Sequence, residues 1–171
     1  MKIGVISDTH DNLENLDKAI ELLNNAEVEL VIHCGDFISP FVIKRLSRLK
    51  PKLIGVFGNN DGDRGLLIEL AKSIGIELYN MPYDLKLSGK SIHILHGLGS
   101  PEYTKCIVEL LAKSGAYDIV LYGHTHQIDV RMIGKCLVLN PGEVFGMLTG
   151  KSSLAILDIE ELKPEVKYLR D

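Results

Sequence analysis

The sequence predicts an α/β fold in which two mixed sheets pack face to face with helices on the outside. In the first half of the chain, short apolar runs alternate with helical patterns, which implies parallel strands. In the second half, apolar runs are paired through short turns that contain glycine, which indicates hairpins. No linker, low-complexity tract or internal repeat interrupts the 171 residues, so we expect one domain over residues 1–171.

The first half contains three strand–helix pairs. The strands are predicted at residues 2–7, 30–33 and 53–57. The first helix is predicted from an apolar face formed by Leu13, Leu16, Ile20 and Leu23. The second and third helices are predicted over residues 41–49 and 66–74. Asp11 and Glu14 are spaced as a capping box for the first helix. Pro51 ends the second helix, because the residue before a proline is pushed out of the helical region, and Gly75 ends the third.

The second half is dominated by hairpins. Strands at residues 83–87 and 91–95 flank Ser88-Gly89-Lys90, and strands at residues 128–133 and 136–139 flank Gly134-Lys135. A helix near residues 102–113 precedes a strand at residues 119–122. Strands at residues 153–159 and 165–169 close the sequence as an antiparallel pair.

Composition narrows the class of protein. The formal net charge of −4 lacks the basic excess that usually accompanies nucleic-acid binding, so a nucleic-acid partner is not expected. The longest apolar runs are too short to span a bilayer, and we expect no membrane partner and no signal peptide. Cys34, Cys106 and Cys136 lie far apart and form no CxxC, which favours free, buried thiols and a cytoplasmic location.

Five predicted strands run directly into metal-binding side chains. These side chains are Asp8 and His10, Asp36, Asn59 to Asp61, His96, and His124 with His126. In open α/β sheets ligands bind at the carboxyl edge of the strands, so we expect one polar site with enough ligands for two metal ions. Oxygen and imidazole without thiolate suit manganese, iron, zinc, nickel or cobalt. Two carboxylates leave much of the charge of two divalent ions uncompensated, and phosphate is the anion we expect such a site to bind.

The order of these motifs resembles the calcineurin-like metallophosphoesterase superfamily. The motifs are Asp8-x-His10, Gly35-Asp36, Gly58-Asn59-Asn60-Asp61, His96-Gly97 and Gly123-His124-Thr125-His126. Asn60 and Asn140-Pro141-Gly142 resemble its compact branch of YfcE-like and archaeal phosphodiesterases. The resemblance implies a four-layer α/β/β/α sandwich.

The resemblance also implies the ligand set and the reaction. One ion would be held by Asp8, His10, Asp36 and His126, and the other by Asp36, Asn59, His96 and His124, with Asp36 as the bridge. We expect two divalent transition-metal ions, with Mn²⁺ first and Ni²⁺, Fe²⁺, Zn²⁺ or Co²⁺ as alternatives. The implied activity is a dinuclear phosphodiesterase that hydrolyses small phosphate esters through a hydroxide shared by the ions.

The chain departs from many relatives at Asn60, where they carry a histidine that stabilises the phosphoryl charge or protonates the leaving group. A carboxamide can donate a hydrogen bond but cannot titrate near neutral pH, so Asn60 is not a general acid. Asp61 would then orient Asn60 or its loop, and the predicted catalytic residues are Asn60, Asp61 and His10. We therefore expect a preference for substrates with good leaving groups.

Other polar residues have less specific interpretations. Glu143 stands where relatives often have serine, and we expect a turn carboxylate that points into solvent; Asn140 should shape that turn. His33 and His93 are expected to be structural. Arg64 could contact phosphate or be an exposed residue at a helix start.

Two other functions stay open: a scaffold like the retromer subunit of this fold, and a nuclease. A dimer or tetramer of the chain also stays open.

Overall fold

The computed structural model describes residues 1–169, and the last two residues of the predicted domain, 170 and 171, lie outside the described residues. Within residues 1–169 the elements are, in order, β1 (Lys2–Ile6), α1 (Leu13–Asn25), β2 (Leu30–His33), α2 (Pro40–Leu46), β3 (Lys52–Val56), α3 (Arg64–Ser73), β4 (Glu77–Tyr79), β5 (Tyr83–Leu87), β6 (Lys90–Ile94), α4 (Pro101–Lys113), β7 (Ile119–Leu121), β8 (Ile128–Ile133), β9 (Cys136–Pro141), β10 (Ser153–Asp158) and β11 (Lys163–Tyr168).

The strands form two mixed sheets, as predicted. The first sheet has the order β11-β10-β1-β2-β3-β4, in which β1 to β4 are parallel and β10 and β11 pair antiparallel. The second has the order β5-β6-β7-β9-β8, with β6, β7 and β9 parallel and an antiparallel strand at each edge. The strands predicted to end in metal-binding side chains are therefore neighbours within each sheet: β1, β2 and β3 in the first, and β6 and β7 in the second.

Three apolar cores separate four layers. Helices α1 to α3 pack on the outer face of the first sheet through residues such as Leu16, Val42 and Leu67. The two sheets meet through a second core that includes Ile32 and Leu121. Helix α4 covers the second sheet through a third core, which includes Val108, Tyr122 and Val138. This arrangement confirms the expected α/β/β/α sandwich.

The structure corrects several details of the predicted elements. The N-cap of α1 is Asn12, whose side chain accepts a hydrogen bond from the backbone N–H of Asn15, so the capping box of Asp11 and Glu14 is wrong. Asp11 instead accepts a hydrogen bond from the Ser39 hydroxyl. Helices α2 and α4 begin one residue earlier than predicted, at prolines, because the fixed φ of proline suits the first helical position. Strand β4 was not predicted; its three residues are too few to show a pattern.

Two expectations from composition can be compared with the structure. Across residues 1–169 no helix is long and apolar enough to cross a membrane, and the longest have 13 residues. All three cysteines are free. Cys34 and Cys136 are buried, but Cys106 is exposed on α4, so the expectation of buried thiols is wrong for Cys106.

Candidate metal centre

The seven predicted ligands lie together where loops leave the carboxyl ends of β1, β2, β3, β6 and β7. Parallel neighbours place successive strand ends at one edge of each sheet, and the face-to-face packing brings the two edges side by side. The side chains of Asp8, Asp36 and His96 are at most 1% exposed. The cluster is therefore a polar site at the rim of the apolar core between the sheets.

A first group of donor atoms converges around Asp8. The Asp8 Oδ1 atom lies 3.7 Å from His10 Nε2 and 3.5 Å from His126 Nε2, and His10 Nε2 lies 3.3 Å from Asp36 Oδ2. Asp8 Oδ1 and His10 Nε2 are buried polar atoms that have no hydrogen-bond partner within residues 1–169. Donor atoms that share one transition-metal ion at about 2.0–2.2 Å lie roughly 3–3.5 Å apart. The buried, unpartnered atoms fit a divalent ion at this position.

A second group of donor atoms begins at the same carboxylate. Asp36 Oδ2 lies 3.3 Å from His96 Nε2, which lies 3.0 Å from Asn59 Oδ1. Asn59 Oδ1 in turn lies 2.9 Å from His124 Nδ1. Asp36 Oδ2 is thus common to both groups, and the oxygen and imidazole donors of the second group also fit a divalent transition-metal ion.

Backbone carbonyls fix which imidazole nitrogen faces the site. His96 Nδ1 is 2.8 Å from the carbonyl of Cys34, and His124 Nε2 is 2.7 Å from the carbonyl of Gly99. A carbonyl oxygen only accepts hydrogen bonds, so the proton of each neutral ring lies on the nitrogen that contacts the carbonyl. His96 Nε2 and His124 Nδ1 are left with free lone pairs directed at the site.

The electrostatics of the site keep both carboxylates ionised. Burial alone would raise the pKa of Asp8, but the imidazoles of His10, His96 and His126 around the carboxylate outweigh it and hold this pKa below its ordinary value. Burial also opposes ionisation of Asp36, and contacts with His96 and Asn60 outweigh it and lower the pKa. Both carboxylates are therefore in the protonation state that binds metal ions.

Five of the seven proposed ligands have positive backbone φ angles: 53° at Asp8, 40° at His10, 61° at Asp36, 66° at His124 and 58° at His126. Residues with a side chain rarely adopt this left-handed region, and each such position costs of order 1–3 kcal/mol. Strain of this kind persists where the surrounding structure imposes it, and it is concentrated here on the donor residues.

Four glycines lie directly against donor residues, at positions 35, 58, 97 and 123, and Gly58 and Gly97 illustrate the contact. A Cβ atom at Gly58 would lie 2.1 Å from Asp36 Oδ1, and a Cβ at Gly97 would lie 2.6 Å from the Cβ of His124. Both distances are far below van der Waals contact. The glycines of the motifs are therefore needed for close approach of the loops.

Replacing Gly97 with alanine is expected to weaken metal binding about 10–100-fold, the range seen when groups that orient metal ligands are altered. The added Cβ meets the root of the His124 side chain, which cannot swing away without moving the backbone. Metal content measured by mass spectrometry, with circular dichroism to verify folding, checks this result. Gly65→Ala is the control, because a Cβ there meets only Asp63 Oδ1 at 3.4 Å. Equal metal content in the two variants would contradict the prediction.

The Asn60–Asp61 loop is tied to the shared carboxylate. The backbone N–H of Asn60 donates to Asp36 Oδ1 at 2.9 Å, and its side-chain Nδ2 donates to Asp36 Oδ2 at 2.7 Å. Asp61 accepts hydrogen bonds from the backbone N–H groups of Gly58, Asp36 and Ile38. Of the two roles considered for Asp61, the contacts favour holding the loop over orienting the Asn60 side chain.

Glu143 does not point into solvent, and that expectation is wrong. Its side chain is fully buried, with Oε2 2.8 Å from His126 Nδ1. Its other oxygen accepts hydrogen bonds from the backbone of Leu148 and from both the backbone and the hydroxyl of Thr149. The sequence did contain a signal for this position. Glu143 follows β9, a parallel neighbour of β7, and so lies at the same edge of the sheet as the proposed ligands.

The remaining polar residues have structural contacts. His33 is buried, stacks on Phe37 with ring centroids 3.8 Å apart, and has a pKa lowered to about 3 by burial, so it is neutral. His93 contacts Asp84 at 2.6 Å, away from the cluster. Asn140 shapes its turn by accepting from Gly142 N–H, as expected, and it also donates to the Gly123 carbonyl.

Two further residues contact the site. Arg64 is exposed at the start of α3, as in one of its two interpretations, and donates to the Gly58 carbonyl at 2.8 Å. Phe145 was not predicted; its ring centroid lies 5.2 Å from that of His10, and its backbone N–H donates to the Asp8 carbonyl. No sequence signal marks Phe145, because its place depends on how the β9–β10 connection folds.

Comparison with known proteins agrees with this fold. Residues 1–162 match the model of the calcineurin-like phosphoesterase superfamily domain. The chain belongs to this superfamily, and it is a phosphoric ester hydrolase.

Individual relatives cover nearly the whole chain. A phosphodiesterase of Methanocaldococcus jannaschii is 44% identical over 162 residues, which are 94% of this chain and 95% of that protein. The solved structure of an archaeal phosphodiesterase is 43% identical with a TM-score of 0.90, covering 98% of this chain and 99% of the other. The phosphoesterase YfcE of E. coli shares the fold at 21% identity with a TM-score of 0.72, over 99% of this chain and all of YfcE.

Proposed function

We propose that this chain is a dinuclear metal-dependent phosphodiesterase that hydrolyses small phosphate esters. The observation that carries the proposal is the position of Asp36, whose Oδ2 atom lies 3.3 Å from both His10 Nε2 and His96 Nε2. One carboxylate oxygen between two groups of donors suits a ligand that bridges two ions. The 44% identity to the phosphodiesterase of M. jannaschii supports the same reaction class.

Each predicted site residue has a role in this proposal. Asp8, His10, Asp36 and His126 would hold one divalent ion, and Asp36, Asn59, His96 and His124 the other. When bound, the two ions supply Lewis acidity for the phosphoryl oxygens and the means to ionise a water nucleophile near neutral pH. Asn60, which is exposed and contacts Asp36, would donate a hydrogen bond to a phosphate ester, while Asp61 holds its loop.

The chemistry of the donors supports a choice of ion and substrate. Carboxylate, carboxamide and imidazole favour Mn²⁺, with Ni²⁺, Fe²⁺, Zn²⁺ or Co²⁺ as alternatives, because the set contains no thiolate. Two carboxylates against two divalent ions leave positive charge for an anionic substrate. The complete donor set supports catalysis over the scaffold interpretation, and the net charge of −4 gives no support to a nuclease.

Addition of Mn²⁺ to chelator-treated protein is expected to raise its melting temperature and to start hydrolysis of an aryl phosphodiester. Ligand at a hundredfold excess over its Kd stabilises the folded state by about 2.7 kcal/mol, which for a domain of this size is about 5–10 °C. Calorimetry and release of the phenolate measure the two effects. His93→Gln is the control, because His93 contacts Asp84 and Tyr117, which lie outside the cluster. Protein that neither binds Mn²⁺ nor turns over would refute the proposal.

A further inference from the structure

Glu143 is a buried carboxylate at the centre of a small hydrogen-bond network behind the first donor group. It is fully buried, and its two oxygens have separate partners. Oε1 accepts from Leu148 N–H at 3.1 Å, from Thr149 N–H at 2.7 Å and from the Thr149 hydroxyl at 2.8 Å. Oε2 faces the imidazole of His126, at 2.8 Å from Nδ1. One carboxylate thus joins a proposed ligand to the β9–β10 connection.

The contacts of Glu143 decide where the proton of His126 lies. Three donors converge on Oε1, and hydrogen bonds of this kind favour the ionised carboxylate. An ionised carboxylate only accepts hydrogen bonds, so His126 Nδ1 must be the donor. In the neutral ring the other nitrogen, Nε2, then carries a free lone pair, and Nε2 is the atom 3.5 Å from Asp8 Oδ1.

The same segment also covers the first donor group. The backbone N–H groups of Val144 and Phe145 donate to the carbonyls of Ser7 and Asp8 at 3.0 and 2.9 Å. The Phe145 ring packs against His10. Glu143 therefore stands where the segment that contacts Asp8 and His10 meets the ring of His126.

We propose that Glu143 is a positioning residue that holds the proton of His126 on Nδ1 and so leaves Nε2 free to bind the ion beside Asp8. The inference rests on the proposed metal centre. Carboxylates that accept from the second nitrogen of a metal-bound histidine fix its orientation and raise its basicity, and their loss weakens metal affinity by about 10–100-fold. Glu143 has this role toward His126, whereas backbone carbonyls contact the corresponding ring nitrogens of the other ion's histidines, Nδ1 of His96 and Nε2 of His124.

Glutamine at position 143 separates this role from that of anchoring the loop. The amide has one acceptor and one donor group in place of two acceptors. Its oxygen is held at the position that faces three donors, because the reverse orientation would set its NH₂ against the N–H groups of Leu148 and Thr149. The NH₂ then faces His126 Nδ1, which must accept, and the proton moves to Nε2. Glu143→Gln should therefore preserve the fold and change the tautomer.

The test measures the His126 tautomer and the metal affinity separately. Nitrogen-15 NMR of the metal-free protein, at alkaline pH where the ring is neutral, is expected to find the proton on Nδ1 in the natural protein and on Nε2 in Glu143→Gln. Titration with Mn²⁺ should show one of two sites weakened about 10–100-fold in the variant. Thr149→Val, which removes only a hydroxyl from the network, is the matched control and should change neither readout.

Three results would overturn the inference. One is a proton on Nε2 of His126 in the natural protein, which needs no variant to fold. Another is a Glu143→Gln variant in which the His126 tautomer and the Mn²⁺ affinity are the same as in the natural protein. The third is an equal loss of affinity in Thr149→Val, which would assign the effect to the loop. Failure of the proposed function is distinguishable, since it would appear as absence of Mn²⁺ binding in the natural protein whatever the tautomer.

Discussion

Replacing Asp36 with alanine is expected to lower kcat/KM for an aryl phosphodiester by about 10³-fold or more. Lewis-acid stabilisation by bound ions is worth several kcal/mol, and each ~1.4 kcal/mol corresponds to a tenfold change in rate. Asp36 is the side chain common to both donor groups, so its loss should weaken the binding of both proposed ions. Steady-state kinetics at saturating Mn²⁺ and metal content by mass spectrometry measure the two consequences.

The companion variant His96→Gln distinguishes the shared carboxylate from a ligand of one ion. His96 contacts Asp36 and Asn59, which belong to the second group, and it lies 4.0 Å from Asp8. His96→Gln should therefore keep the first ion and lose the second, whereas Asp36→Ala should lose both. Asp84→Asn serves as the control, because it alters a carboxylate–histidine pair on β5 and β6, outside the cluster. Full activity in Asp36→Ala would show that the proposed site is wrong.

Replacing Asn60 with histidine is expected to raise kcat for phosphodiesters with poor leaving groups by about 10²–10⁴-fold, the usual contribution of general acid catalysis. The carboxamide of Asn60 cannot protonate an alkoxide, whereas an imidazolium can. Substrates with good leaving groups need no proton, so their rates should change little. A plot of log kcat against leaving-group pKa should be steep for the natural protein and flatter for Asn60→His.

The slope is the decisive quantity, because the absolute rates also depend on metal content. Asn60→Ala is the matched control: it removes the hydrogen bonds of the carboxamide without adding a titrating group, so its slope should equal that of the natural protein. A flat plot for the natural protein, with chemistry shown to limit the rate, would contradict the prediction. It would mean that another group protonates the leaving oxygen.

The donor cluster could be predicted from sequence because each member follows a buried strand directly. The position of Asp8 or His124 is set by the strand before it, and parallel strands end at the same edge of a sheet. The layered arrangement of sheets and helices could be predicted for a similar reason, because apolar periodicity shows which face of each element is buried.

The role of Glu143 could not be predicted in this way. It depends on residues 148 and 149 folding back over the carboxylate, and nothing in the local pattern specifies that path. Helix α1 shows a second limit: both Asp11 and Asn12 are good capping residues, and tertiary contacts decide between them. Asp11 contacts Ser39 while the Asn12 side chain also reaches the Phe145 carbonyl.

The left-handed backbone at five of the proposed ligands has an evolutionary consequence. Glycine adopts these angles without steric cost, so Gly at positions 8, 10, 36, 124 or 126 would relieve strain in the folded chain while removing a donor. Selection for the reaction must act continuously against this gain in stability. In a related protein that no longer depends on the reaction, we expect glycine to accumulate at these positions. Such substitutions would mark the loss of the proposed metal centre.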